Sequence, residues 1–226
     1  MKEKKSTIQK IGNVINLFGN AIMMNLLFLA ACLPIVTIGQ AWCGLLGAIR
    51  YNIRGERWIT GFKVGFKTRF FRGTIICVIG ALLCMFFLND INQAMRAGAS
   101  GVLPFSWAMF AFVAMVLQSA LLLNVYIYTD VNNWLKNTVN MLFKGFFPLL
   151  LCAGLFWLPL LVLLLVDAWL IYELVMVLIC AYFVLVALVT TMTMKENLTE
   201  LLINCRADGL IIAEEGAQPI RDEDGE

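Results

Sequence analysis

Histidine does not occur anywhere in the 226 residues, and charged side chains make up only 14% of them. The first absence removes imidazole ligands for zinc, the Ser-His-Asp and Cys-His arrangements of nucleophilic catalysis, and the side chain that ordinarily titrates near neutrality. The second excludes an ordinary soluble domain, which is about 25% charged and about 45–50% apolar. Here 61% of residues are hydrophobic and the mean hydropathy is +0.84. A Walker loop, G-x-S-x-G and H-E-x-x-H are also missing, and no two of the seven cysteines form a C-x-x-C pair. Six of them, Cys32, Cys43, Cys77, Cys84, Cys152 and Cys180, lie inside apolar segments and read as small packing residues, leaving Cys205 outside. What remains is an all-α polytopic membrane bundle, read as non-enzymatic, with no catalytic, cofactor-binding or metal-ligating residue to assign and no cofactor implied.

Apolar segments of helical length run over about 14–33, 38–53, 71–89, 103–128, 146–166 and 169–194, against the ~20 residues a crossing needs. Charge is divided sharply along the chain. Residues 1–72 hold 11 basic and 2 acidic side chains, and residues 73–226 hold 6 basic and 13 acidic, so that the two parts carry +9 and −7. The last residues, with seven acidic side chains against Arg221, set 208–226 apart from the integral-membrane helical domain 1–207 as an acidic cytoplasmic tail, expected to be disordered because it has too little apolar surface to build a core.

The second apolar segment is short, and "LPIVTIGQAW", Leu33 to Trp42, interrupts the run before it. Pro34 lacks an N–H and disfavours a helical Leu33, and Gly39 has access to conformations that other residues avoid, so a turn is expected there. A single straight crossing by 14–53 would place the basic N-terminus and the basic segment 50–72 on opposite sides, against the positive-inside rule. The reading is therefore six crossings, the first two a short Pro/Gly-broken hairpin, with both termini cytoplasmic. A five-crossing threading requires an exported N-terminus carrying four lysines. Gly39, Cys43 and Gly47, spaced by four, supply a small-xxx-small surface expected to pack the second helix on the first. "LAAC", Leu29 to Cys32, resembles a lipoprotein cleavage site, but the apolar sequence continues through it, and Cys32 reads as a helix-facing residue.

Polar groups within this apolar frame are few. Asn13, Asn16 and Asn20 share one helix face within about 60°, and Gln118 and Asn124 fall inside the fourth segment. Interhelical hydrogen bonding accounts for them, and lining of a pathway is the rival reading. Asp90, Asp130, Asp167 and Glu173 stand near segment ends, where a carboxylate needs no special role; an ion or proton relay through Asp167 and Glu173 is the functional alternative.

"RWITGFKVGFKTRFFR", Arg57 to Arg72, sets Trp58, Phe62, Phe66 and Phe70 four apart beside Lys63 and Lys67. The pattern predicts a cytoplasmic basic aromatic helix at the membrane interface, its rings toward lipid and its cations among anionic headgroups, and marks this segment as the leading partner-docking face. Nucleic acid is not an expected partner, because a basic segment held between crossings already lies beside anionic lipid.

"NLLFLAACLPIVTIGQAWCGLLGAIRYNIRGERWITGFKVGFKTRFFRGT", Asn25 to Thr74, resembles the YesL family of bacterial membrane proteins, whose hallmark is an apolar helix, P-x-x-T-x-G (here Pro34, Thr37 and Gly39), a small-residue helix, a basic link and a Phe-rich segment. "VYIYTDVNNWLKNTVNMLFKGFFPLLL", Val125 to Leu151, is similar to the family's aromatic-aspartate turn, amphipathic link and new span. Gln40 and Ala41 stand where the family usually has proline and alanine. The resemblance covers about a third of the chain. It implies a multi-pass protein of the bacterial plasma membrane, of unknown function and often encoded beside carbohydrate ABC-transporter genes, and it brings no catalytic residues. The function expected from it is assistance to or regulation of carbohydrate uptake through an ABC transporter or other membrane or signalling partner. A small transporter or channel is the alternative, and an intramembrane enzyme comes last because no nucleophile is paired with a base.

Topology reporters placed near Lys4 and near Glu56 are expected to read the same, cytoplasmic, side. Opposite readings would eliminate the hairpin and leave five crossings.

Overall fold

The computed structural model describes residues 19–99, 101–127, 130–165 and 182–207, and these are helical almost throughout. In chain order they form α1 (Gly19–Ala31), a 3-10 turn (Ile35–Thr37), α2 (Ile38–Ile53), α3 (Trp58–Lys67), α4 (Phe70–Ala97), α5 (Leu103–Tyr126), α6 (Val131–Lys144), α7 (Phe146–Leu165), α8 (Phe183–Thr193) and α9 (Lys195–Ala207). Among the described residues, α4 and α5 are long and apolar enough to cross a membrane. A third candidate exists if α6 and α7, bent by 96° at their junction, count as one broken span. The expected six crossings are thus present only in part among the described residues: there α1 and α8 are apolar but shorter than a crossing, each starting beside residues outside the described ones, and the acidic tail and half of the last expected span lie outside the described residues.

The chain does fold back at the expected break. Phe28 and Trp42 would be separated by about 21 Å on a continuous helix, yet their rings meet with centroids 6.1 Å apart. Thr37 makes the turn, its amide donating to the Pro34 carbonyl at 2.9 Å and its hydroxyl donating to the carbonyls of Ala31 and Pro34 at 2.5 and 2.7 Å. Gly39 does not take part in the way the sequence suggested. It lies inside α2, and positive φ among the described residues belongs to Gly55, Gly98 and Arg69. Its lack of a side chain is needed instead because a Cβ there would run into Cys77 and the Gly73 carbonyl of α4.

The small-residue surface of α2 likewise meets a different helix from the one expected. α3 returns antiparallel along α2, and a Cβ on Gly47 would lie 2.5 Å from the Gly61 carbonyl, while one on Gly65 would collide with the Cys43 carbonyl. Gly61-x-x-x-Gly65 thus answers Cys43-x-x-x-Gly47, and the two backbones touch. With α3 on one side and α4, α5 and α8 on the others, every residue of α2 from Gly39 to Ile49 is buried. This also corrects the expected direction of the aromatic arc: Phe62 is buried and Trp58 and Phe66 pack on the core, so these rings turn toward α2 instead of lipid, while Ile59, Lys63, Val64 and Lys67 face outward. Gly61 and Gly65 decide the orientation, because the glycine face permits the closest approach and the flanking rings follow it inward.

An aromatic seam joins the remaining helices. Trp42, fully buried, packs on Phe156 of α7 with centroids 4.8 Å apart, Phe28 of α1 on Phe183 of α8 at 4.8 Å, and Phe110 of α5 on Trp157 at 5.7 Å. Such pairs contribute about 0.5–1.5 kcal/mol each beyond their buried area.

The connections left between the expected segments 71–89 and 103–128, and between 103–128 and 146–166, are largely helical. α4 continues through the 90–102 segment as far as Ala97, and most of 129–145 forms α6. Ser106 at the start of α5 donates to the Asp90 carboxylate, tying the two helices together at that end.

Gly61→Ala is expected to cost about 1–3 kcal/mol through overlap with the Gly47 carbonyl and Tyr51, measured as denaturation of the protein in nanodiscs. Gly154→Ala, where nothing lies within 4 Å, is expected to be neutral or stabilising.

Candidate functional site

The polar groups that this packing gathers lie where α3 turns into α4. Arg69 ends the link in a left-handed conformation, φ 46°, a region that a branched-at-length side chain occupies only when its surroundings hold it. Gln40, from the first turn of α2 and fully buried, provides that hold: its Nε2 donates to the Arg69 carbonyl at 3.0 Å and to the Phe70 carbonyl at 2.6 Å. The amide reaches these carbonyls across Gly73, where a Cβ would collide with Gln40 Nε2 and lie 3.0 Å from Asn124 Nδ2.

Asn124 closes the corner from α5. Its Nδ2 lies 3.9 Å from Cys43 Sγ, and the Cys43 thiol donates to the Leu121 carbonyl at 3.6 Å. Gln40 Oε1 and Asn124 Oδ1 are buried there, and the Thr74 hydroxyl is buried one residue past Gly73 on α4, all three with no hydrogen-bond partner among the described residues. Two arginines stack on rings, Arg72 close to this corner in the first turn of α4 and Arg50 at the far end of α2. The Arg50 guanidinium lies 4.8 Å from the Tyr126 centroid and that of Arg72 4.3 Å from the Trp134 centroid. A ring face attracts a cation most where water is excluded, and both rings are buried.

The arrangement can join helices and carry positive charge into a polar corner. It brings together Asn124, one of the two polar residues singled out in the fourth segment, with Gln40, which sequence reasoning missed; the signal was its occurrence where the resembled family has proline. Gln118 is buried on α5, about 120° around the helix from Asn124. Asn20 sits in the first turns of α1, partly exposed. Asn13, Asn16, Asp167, Glu173 and Cys180 lie outside the described residues. Cys43, Cys77, Cys84 and Cys152 are buried and Cys32 partly so, all as free thiols. Among the described residues no group of three or more His, Cys, Asp or Glu side chains is placed to hold a metal ion.

Residues 21–91, which contain the turn, the α2–α3 pair and most of α4, match a family described as a protein of unknown function, DUF624, the family that YesL-like proteins form. No curated protein and no solved structure matches the chain.

Gln40→Met is expected to lower stability by about 1 kcal/mol, since two carbonyl bonds are lost and the Arg69 corner is released. Thr74→Val replaces a buried hydroxyl without a partner by an apolar group of similar shape and is expected to be neutral or stabilising. Equal losses in the two variants, read by thermal denaturation in nanodiscs, would show that Gln40 does not hold the corner.

Proposed function

We propose that this chain is a non-enzymatic integral protein of the plasma membrane that assists or regulates carbohydrate uptake by contact with a transporter or signalling partner inside the bilayer. The observation that carries the contact reading is the outer face of α4. Phe71, Ile75, Ile79, Leu82 and Phe86 recur at three- and four-residue spacing and are 55–81% exposed. They cover about 23 Å along a helix whose apolar window is only 22% buried inside the protein, compared with 67% for α5. Neighbouring protein covers α5 and leaves α4 to lipid or to a partner. The carbohydrate part of the proposal rests on the YesL resemblance and on nothing in the geometry.

Six crossings with both termini cytoplasmic complete the proposal, supported by the distribution of lysine and arginine among the connections. The alternative, a small transporter or channel, draws on the buried amides. Gln118 and Asn124 are 3% and 1% exposed, and a cleft of about 150 Å³ between α5 and α7 is lined by Trp107, Phe110, Ala111, Ala114, Leu150, Ala153 and Gly154, an apolar surface that offers nothing to a sugar hydroxyl. These features favour packing over conduction.

A photo-crosslinking amino acid at Leu82 or Phe86, introduced in the native host, is expected to capture a membrane subunit of a carbohydrate transporter, and proteoliposomes holding the purified protein alone are expected to pass no sugar. Sugar flux through the protein alone would establish the transporter alternative. Adducts to lipid only, from both positions, would remove the contact reading.

A further inference from the structure

We infer that α6 is a lipid-reading helix that rests on an anionic membrane surface, its apolar side among acyl chains and Lys136 at the headgroup phosphates. The inference stands apart from the carbohydrate reading and depends on three observations.

α6 has three sides where an ordinary surface helix has two. At 100° per residue, Trp134, Thr138, Met141 and Leu142 fall in one sector, and all four are buried against the protein. Val131, Leu135, Val139 and Phe143, each four residues after the last, drift through a second sector centred about 100° away; they are 60, 50, 52 and 79% exposed. The polar residues Asn133, Lys136, Asn137, Asn140 and Lys144 fill the third. Asn132 alone intrudes on the apolar sector. A helix flanked only by protein and water has no use for a separate exposed apolar side, whereas one lying along the bundle at a bilayer surface meets protein, hydrocarbon and water in turn.

The direction of α6 agrees. Phe110 of α5 meets Trp157, and Ala114, one turn later, shares a cleft with Leu150 and Ala153, so α7 runs antiparallel along a helix long enough to cross the membrane. The 96° bend between α6 and α7 therefore lays α6 close to the membrane plane. The exposed apolar side also passes without interruption into Phe146 and Phe147 at the start of α7, 44 and 79% exposed.

Charge selects the kind of lipid. Leu135, Val139 and Phe143 form the apolar floor of an open cleft whose rim carries Lys136 and Asn140. Lys136 sits between the apolar and polar sectors, where a long side chain can keep its stem in hydrocarbon and its ammonium at a phosphate. The other cation, Lys144, is engaged with Glu200 of α9, and the nearest acid on the chain, Asp130, precedes the helix. Lys136 is accordingly the group that distinguishes an anionic headgroup from a zwitterionic one.

The test uses the full chain in nanodiscs with a genetically encoded fluorescent amino acid at Phe143 or, separately, at Asn140. Brominated acyl chains are expected to quench the probe at 143 and not at 140, and brominated phosphatidylglycerol is expected to quench more than brominated phosphatidylcholine at equal mole fraction. Lys136→Ala is expected to reduce that preference by up to about five-fold, the equivalent of the roughly 1 kcal/mol that a cation near an anionic surface contributes. No quenching at 143, whether water or a second protein copy covers it, would overturn the inference, as would a preference unchanged by Lys136→Ala. Quenching that emerges only after truncation behind Ala207 would identify the tail as the occupant and overturn it equally.

Discussion

The backbone contact between α2 and α3 is the constraint from which the rest of the arrangement follows. Carbonyl oxygens of Cys43, Gly47 and Gly61 occupy the space where side chains at Gly65, Gly61 and Gly47 would be. Only paired glycine surfaces permit that approach, and close approach is what drives helices together in an apolar medium, where burial of hydrocarbon provides little. Once α3 is seated there, α2 can be enclosed on its other sides by α4, α5 and α8, and Trp42 can reach the aromatic seam. The same pairing carries the chain back toward the start of α2, so that α4 begins beside Gln40.

That return explains the polar corner. The chain passes from the end of α3 at Lys67 to the start of α4 at Phe70 within two residues, and Arg69 takes a left-handed backbone in that short link. A buried amide is a suitable anchor for such a corner because it can donate to two adjacent carbonyls while filling the volume of an apolar side chain. The arginines that make this region basic are partly sheltered by rings, with Arg50 over Tyr126 and Arg72 over Trp134. Packing against rings therefore holds these two cations in place. Such a structure is suited to holding helices in register and presenting surfaces.

Two outward surfaces result, and they differ in kind. The outer face of α4 is apolar over most of a bilayer's depth and parallel to the span. α6 offers a narrower apolar side at right angles to α7, edged by a lysine. Trp134 links them, since it is buried on the inner side of α6 beneath the guanidinium of Arg72 from the first turn of α4.

The sequence by itself determined the class of protein, the positions of α2, α5 and α7 to within a few residues, the start of α4 though not its end, and the turn at Pro34, because apolar length, proline and the distribution of cations act locally and need no knowledge of partners. The segment 129–145 reads from the sequence as a connection between crossings, with an amphipathic link only as what the family resemblance implies, and the bend at Gly145 is what shows that α6 lies across its neighbour. Which surfaces meet was decided by tertiary structure alone. Gly39, Cys43 and Gly47 offered a small-residue face, but nothing local to α2 specifies whether α1, α3 or α4 will occupy it. The aromatic arc of α3 could face lipid or protein with the same periodicity, and Gly61 and Gly65 settle it only once a complementary pair of glycine-sized gaps lies opposite. Gln40 is 29 residues from the Arg69 carbonyl it anchors; a hydrogen bond over that separation depends on the angle at which three helices cross, and the crossing angle is set by how closely their backbones can approach.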